Sequence, residues 1–382
     1  MTSGRVSRTA VLLMWALSRA ATMLAAWVAT SLFVGARLPA FPAAWLRWDA
    51  AAFADIARAG YGAGHGVGHG VGHGVGAVSA TSNDVAYLPG LPLALRLVHL
   101  VLPSWALAGL AVSAASLLVA LLALDRLGDL DVAGSGRLGG LALLLAPSAV
   151  FLAAGYSEAL FLALAVPAWL AARRGRWLAA GLLAGAAGAV RASGLFLLAG
   201  LVVLLLTATH RAGWRVWGRG FACLSLGLVP VAGYVLWLRA VTGDWAAWLD
   251  AERRGWHRQL TSPLLSWQRT WEAAFGGTQR PEVAMLFRLE LVVGLVGLAG
   301  LVVLAATRRW GEVVYLATSL AAYQTSNWWM SIARSSLLWF PLWLLLGRAA
   351  VRHRSVLAGY AALAAPVGVL VLAAFVTGRW AG

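Results

Sequence analysis

The sequence predicts an all-α, polytopic membrane protein, and three observations carry that prediction. Of 382 residues 61% are hydrophobic and 12% charged, with a mean hydropathy of +0.79; a soluble domain is nearer half apolar and a quarter charged. Apolar runs of about seventeen residues or more recur from end to end, each able to cross a hydrocarbon core of roughly 30 Å. The positive charge, which reaches a net +16 without a single lysine, falls in short arginine clusters between those runs. A helix satisfies its own backbone in lipid, so the spans are helical. The whole chain, 1–382, reads as a single integral membrane domain.

The first element is a span over roughly 10–34, preceded by Arg5 and Arg8. It is too long for a signal-peptide core and no small-residue cleavage site follows it cleanly, so its N-terminus is placed in the cytoplasm. Arg19 lies inside it, either functional or paired with a neighbouring helix. A first external loop, 35–85, opens with Pro39 and Pro42, which break the helix. Within it, 48–58 reads as a short helix with Asp49 and Phe53 on one face and Gly60 placed to end it.

Residues 64–76 are a tandem repeat in which His65, His69 and His73 recur every four residues. On a helix that spacing suits a metal, but glycine at alternate positions disfavours the helix. A flexible expanded insertion is the better reading. The next segment, 84–103, has Pro89 and Pro92 near its start and Arg96 and His99 further on, an awkward composition for a spanning helix.

Later spans fall at about 105–124, 138–154, 157–172, 177–190, 193–208, 218–241, 285–306, 312–325, 335–349 and 355–377, making about ten to twelve transmembrane helices. The clusters Arg173-Arg174-Gly175-Arg176, His210-Arg211 with Arg215 and Arg219, Arg308-Arg309, and Arg348 with Arg352-His353-Arg354 sit at alternate connections. All are cytoplasmic at once under the positive-inside rule. That parity holds only if 84–103 does not fully cross or if one later break is misplaced. Asp129-Leu130-Asp131 mimics a metal–nucleotide motif but reads better as a solvated turn. The same parity puts Tyr156-Ser157-Glu158, Arg191-Ala192-Ser193, 326–334 and a second large external loop, 242–284, on the outer face. That loop holds Trp245, Trp248, Trp256, Trp267 and Trp271, suited to interfacial anchoring or to stacking on a sugar or isoprenoid.

Composition also excludes functions. The arginines sit between membrane spans, so membrane lipids rather than nucleic acid are their partners. Cys223 is the one cysteine, which rules out an intrachain disulfide and a thiol metal site. There is no P-loop and no credible dinucleotide fingerprint, so an enzyme here would not use a soluble nucleoside-phosphate donor. The charge cluster Arg47 to Tyr61 is then the feature to explain: it brings two carboxylates, Asp49 and Asp55, to a membrane edge.

Taken in order, Trp48-Asp49 with Phe53, Ile56-Ala57 and Gly60-Tyr61; Ala86-Tyr87-Leu88-Pro89-Gly90-Leu91-Pro92; Pro147 with Tyr156-Ser157-Glu158; Val190-Arg191-Ala192-Ser193-Gly194; and Met330 with Arg334 and Phe340-Pro341-Leu342 form a pattern. It resembles the GPI mannosyltransferase 2 (PIG-V-like) family and its bacterial members, which have the GT-C membrane glycosyltransferase fold. Two features depart from that pattern: the His-Gly repeat, and Ser335 where an aromatic is expected.

The resemblance implies a mannosyltransferase of the bacterial plasma membrane, with its active site on the non-cytoplasmic face. It implies a polyprenyl-phosphate-mannose donor, a glycolipid or lipid-linked acceptor, and inversion at the anomeric carbon. Asp49 is the expected catalytic general base, with capping of the 48–58 helix as its structural alternative. Arg334 and Arg191 are expected to clamp the lipid phosphate, less surely Arg253 or Arg254, with His257 sharing that role. Glu158 and Asp55 are second carboxylates, Glu158 for sugar hydroxyls, and Trp48 and Tyr87 complete the substrate-binding set. Arginines can neutralise the phosphate, so no cofactor is required; a divalent metal is left open. The alternatives are a transporter or flippase of lipid-linked sugars, or a GT-C enzyme for another sugar or a protein acceptor.

Overall fold

The computed structural model describes residues 2–34, 38–62, 82–208 and 213–379, with side chains described outside 2–7 and 38–40. The His-Gly repeat and His210-Arg211 lie outside the described residues. The chain begins with the long helix α1 (Thr2–Phe33) and a 3-10 segment over Leu38–Trp45, then α2 (Asp49–Ala59) and α3 (Gly90–His99). With ten residues, α3 is about 15 Å long, too short to cross a membrane, so 84–103 lies along one end of the bundle.

The next group is α4 (Trp105–Asp129), α5 (Ser135–Leu144), α6 (Ser157–Arg173), α7 (Trp177–Val190) and α8 (Ser193–Ala208). It is followed by α9 (Trp214–Ser225) and α10 (Val229–Thr242), nearly continuous through a 3-10 turn, and by two short helices, α11 (Ala247–Trp256) and α12 (Pro263–Phe275). The chain closes with α13 (Pro281–Ala306), α14 (Trp310–Gln324), the four-residue α15 (Ile332–Ser335), α16 (Phe340–Arg352) and α17 (Arg354–Val376). Among the described residues, five stretches are long and apolar enough to cross a membrane alone: Arg8–Phe33, Trp105–Asp129, Trp214–Thr242, Pro281–Ala306 and Arg354–Val376. The other expected spans are shorter helices; α7 and α8, for example, have 14 and 16 residues. Extended backbone at Arg191 divides α7 from α8, and Pro147 follows the end of α5 before the 3-10 turn Ala149–Leu152.

Small residues let these helices approach closely, the usual device where lipid removes the hydrophobic drive between helices. A Cβ on Gly139 of α5 would lie 2.4 Å from the Trp343 carbonyl of α16, and one on Gly347 of α16 only 2.0 Å from the Ser135 carbonyl. The main core packs α4 to α8 with α16 around Trp169, Phe151, Tyr156 and Phe340. A second cluster joins α12, α13 and α14 around Phe287 and Trp329.

The expected arginine parity is visible in contacts. Asp131, in the turn after α4, accepts hydrogen bonds from Arg173 of α6 at 2.8 Å, Arg309 before α14 at 2.8 Å and Arg348 of α16 at 2.7 Å. Those three clusters therefore share one end of the molecule. The turn is more than a solvated loop: Asp131 is an electrostatic hub. Glu158 and Arg173 lie at the two ends of α6, so the residues around Glu158 occupy the opposite end. Arg19, within α1, donates to the Leu152 carbonyl at 3.2 Å.

Candidate active site

The site is built from the connections at that opposite end. Trp48, with φ of 53°, turns the chain into α2, so Asp49 is its first residue. The capping alternative for Asp49 does not hold: the cap carries no side-chain hydrogen bond. Instead one carboxylate oxygen accepts from the Tyr87 hydroxyl at 3.1 Å and the other from Arg334 Nη1 at 2.5 Å. Gly60, with φ of 82°, ends α2 as expected, its N–H on the Ile56 carbonyl.

Glu158 sits in the first turn of α6, where the exposed N–H groups favour a negative charge. Its Oε1 accepts from Arg334 Nε at 2.5 Å and from Arg191 Nη1 at 2.7 Å, and Arg191 Nη1 also meets Ser157 Oγ at 2.7 Å. The result is a chain of alternating charge, Asp49–Arg334–Glu158–Arg191, contributed by residues up to 285 positions apart. Arg334 packs over the Phe151 and Tyr156 rings, at 5.2 and 4.5 Å. These rings supply the aromatic contact that Ser335 does not.

The backbone carrying Arg334 is tied down at several points. Ser331 has φ of 66°. Glu290 of α13 accepts from the Ser331 N–H at 2.9 Å and the Ala333 N–H at 2.8 Å. Thr270 Oγ1 of α12 accepts from the Trp329 N–H, and Ser148 Oγ donates to the Ala333 carbonyl. On the other side, Tyr61 and Tyr234 hydroxyls donate to the carbonyls of Tyr87 and Val85, fixing the 85–87 segment. The Tyr87 ring stands edge-on to Phe53 and Trp256.

These groups surround a cavity of about 470 Å³. Asp49, Tyr87, Arg191 and Arg334 line it, with Ser157, Glu252 and Arg258. Trp248 and Trp256 form part of its wall, and Leu195, Phe196, Leu249 and Leu260 make it apolar on one side. Burial and the neighbouring Asp49 push the Tyr87 hydroxyl well above its usual value, so it stays a neutral donor. Burial alone would lower the Arg334 guanidinium, but Glu158 and Asp49 hold it well above its usual range. Burial pushes the Glu252 carboxyl up, opposed by Arg258 and Arg191.

Four of the expected residues thus meet at the cavity: Asp49, Tyr87, Arg191 and Arg334. Glu158 is fully buried beneath the two arginines and lies behind the lining, so it positions them and does not present itself to a sugar hydroxyl. Trp48, Asp55 and His257 are not among the lining residues. Trp48 is 45% exposed, Asp55 lies on another face of α2, and His257 ends α11 in the left-handed conformation with its ring against Trp328. Arg253 pairs with Asp250 on the exposed side of α11. Glu252, Arg258 and Glu290 were not singled out by sequence. The first two belong to the charge-rich 242–284 loop, which was the available signal. Among the described residues, no group of three His, Cys, Asp or Glu side chains is arranged to hold a metal ion.

No protein-family model matches the sequence, and no curated protein matches it. Among solved structures, the crystal structure of ArnT from Cupriavidus metallidurans bound to undecaprenyl phosphate matches at a TM-score of 0.53 and 14% identity, over 95% of this chain and 77% of ArnT. The apo structure of ArnT from the same organism matches at a TM-score of 0.42 and 16% identity, over 92% and 77%. At such identity the first likeness bears on fold. The chain is a multi-pass integral membrane protein with an all-helical fold resembling that of ArnT.

Proposed function

We propose that this chain is an inverting glycosyltransferase that moves mannose from a polyprenyl-phosphate-mannose donor to a glycolipid or lipid-linked acceptor, on the non-cytoplasmic face of the membrane. The observation that carries the reading is the Asp49 carboxylate, held by Tyr87 and Arg334 at the wall of a cavity with cationic and apolar sides. Support for a polyprenyl-phosphate lipid comes from the fold likeness to ArnT, whose structure holds undecaprenyl phosphate. Support for mannose comes from the PIG-V-like pattern of motifs around Asp49, Tyr87, Glu158, Arg191 and Arg334.

In this reading Asp49 accepts the proton of the acceptor hydroxyl as its oxygen attacks the anomeric carbon. The new glycosidic bond forms as the bond from that carbon to the phosphate oxygen breaks, and the lipid phosphate leaves with the electron pair. General-base help of this kind contributes about 10²–10⁴-fold. A carboxylate is a weak base, so alignment of donor and acceptor supplies much of the remainder. Arginines at the wall oppose the charge that grows on the phosphate. Trp248 and Trp256 offer faces for the sugar.

The test is transfer by purified protein from radiolabelled polyprenyl-phosphate-mannose into a membrane lipid extract. Asp49→Asn is expected to lower the rate by about 10²–10⁴-fold, measured on protein that still shows a cooperative thermal melt. Full activity in Asp49→Asn would overturn its role. Absence of transfer to any acceptor, with lipid-linked sugar crossing proteoliposome membranes, would replace the enzyme with a transporter.

A further inference from the structure

The three arginines at the cavity wall are not equally free to bind an anion. Arg334 spends Nε on Glu158 and Nη1 on Asp49, both at 2.5 Å, packs over two rings, and has a side chain only 10% exposed. Arg191 is 15% exposed and directs Nη1 at Ser157 and Glu158, both at 2.7 Å. Arg258 differs in exposure and in pairing. Its side chain is 32% exposed, and its ion pair with Glu252 is a looser 3.3 Å contact. The Glu252 oxygen in that contact makes no hydrogen bond. The guanidinium lies over the Tyr323 ring at 5.1 Å and lines the cavity, and a guanidinium fork is the group suited to grip phosphate oxygens.

The surroundings of Arg258 suit a lipid phosphate. His257, with φ of 54°, turns the chain out of α11, and the Thr261 N–H on the Thr325 carbonyl at 2.7 Å pins the following residues to the end of α14. Leu195, Leu249 and Leu260 line the same cavity and are 37%, 61% and 91% exposed, apolar surface that suits a lipid tail. Burial pushes the Glu252 carboxyl up, which weakens it as a competitor for Arg258.

Resting on the donor class proposed above, we infer that Arg258 is the phosphate anchor for the polyprenyl-phosphate lipid, while Arg191 and Arg334 are committed to holding Glu158 and Asp49. This moves the phosphate away from the two arginines expected from sequence and onto the 242–284 loop. The lipid's phosphate then takes the place of the loose Glu252 contact.

The experiment is equilibrium binding of radiolabelled undecaprenyl phosphate, and of uncharged undecaprenol, to the purified full chain in detergent, with thermal melts as the folding control. Arg258→Ala is expected to weaken undecaprenyl phosphate about 10- to 100-fold, the range for a lost charged hydrogen bond, and to leave undecaprenol unchanged. Arg258→Lys should recover part of the loss. Unchanged phosphate binding in Arg258→Ala, a larger loss in Arg191→Ala, or equal loss of both lipids would overturn the assignment. Wild-type protein that binds undecaprenol as tightly as the phosphate, or neither, would overturn the donor class itself and the anchor with it.

Discussion

Glu158 shows how much one residue's meaning depends on what lies beneath it. From sequence it is an acidic residue at an outer helix end, and a sugar-facing role is a fair expectation. In the fold it is fully buried, and a single oxygen takes hydrogen bonds from Arg334 and Arg191. Removing its charge leaves two buried guanidinium groups short of a partner, a loss of about 3–5 kcal/mol when a buried pair is broken. Glu158→Ala is therefore expected to lower the melting temperature sharply and abolish transfer, whereas a sugar-binding residue at the wall would change KM with little effect on stability. Thermal melts beside initial rates separate the two. Asp49 makes the same point in reverse. Its position at a helix start invites a capping role, and only the arrival of Arg334, 285 residues later, shows the carboxylate used otherwise.

Elements position the site in ways that periodicity does not reveal. Glu290 lies within the apolar α13, and no spacing in that helix signals a role. In the fold both of its oxygens hold the N–H groups of Ser331 and Ala333, bracing a left-handed residue three positions before Arg334. Each buried N–H left without an acceptor costs about 1–3 kcal/mol, and Glu290 holds two of them in the segment that carries Arg334. Glu290→Ala is expected to reduce kcat by about tenfold or more through misplacement of Arg334, without touching the cavity. In an Arg334→Ala background the same change should add little further loss of kcat, because both act through one group. Additive losses would mean that Glu290 serves stability alone. By contrast α2 was legible almost residue for residue, because its signals are local: an apolar face, and a glycine whose positive φ ends it.

At the scale of the whole molecule, the fold class was readable because lipid leaves few alternatives to helices, and the arginine clusters recorded which connections share an end. The open question of 84–103 is answered by a ten-residue α3 that cannot cross. What sequence could not give is the contact that ties the arginine-rich end together, since Arg173, Arg309 and Arg348 meet through Asp131 only once four helices are packed. Burial acts to raise the Asp131 carboxyl, but hydrogen bonds from Arg173 and Arg309 outweigh it and lower it to about 2. A carboxylate depressed in the folded state stabilises fully above its unfolded pKa of about 3.9, and that contribution is lost as pH falls toward 2. Partial exposure screens it, so the contribution is at most about 1 kcal/mol. Melting temperatures between pH 5 and pH 3 should fall more steeply for wild type than for Asp131→Asn, which has no proton to take up there. Parallel slopes would mean that the hub is geometric and not electrostatic, and that glycine-mediated packing between α5 and α16 holds this end without it.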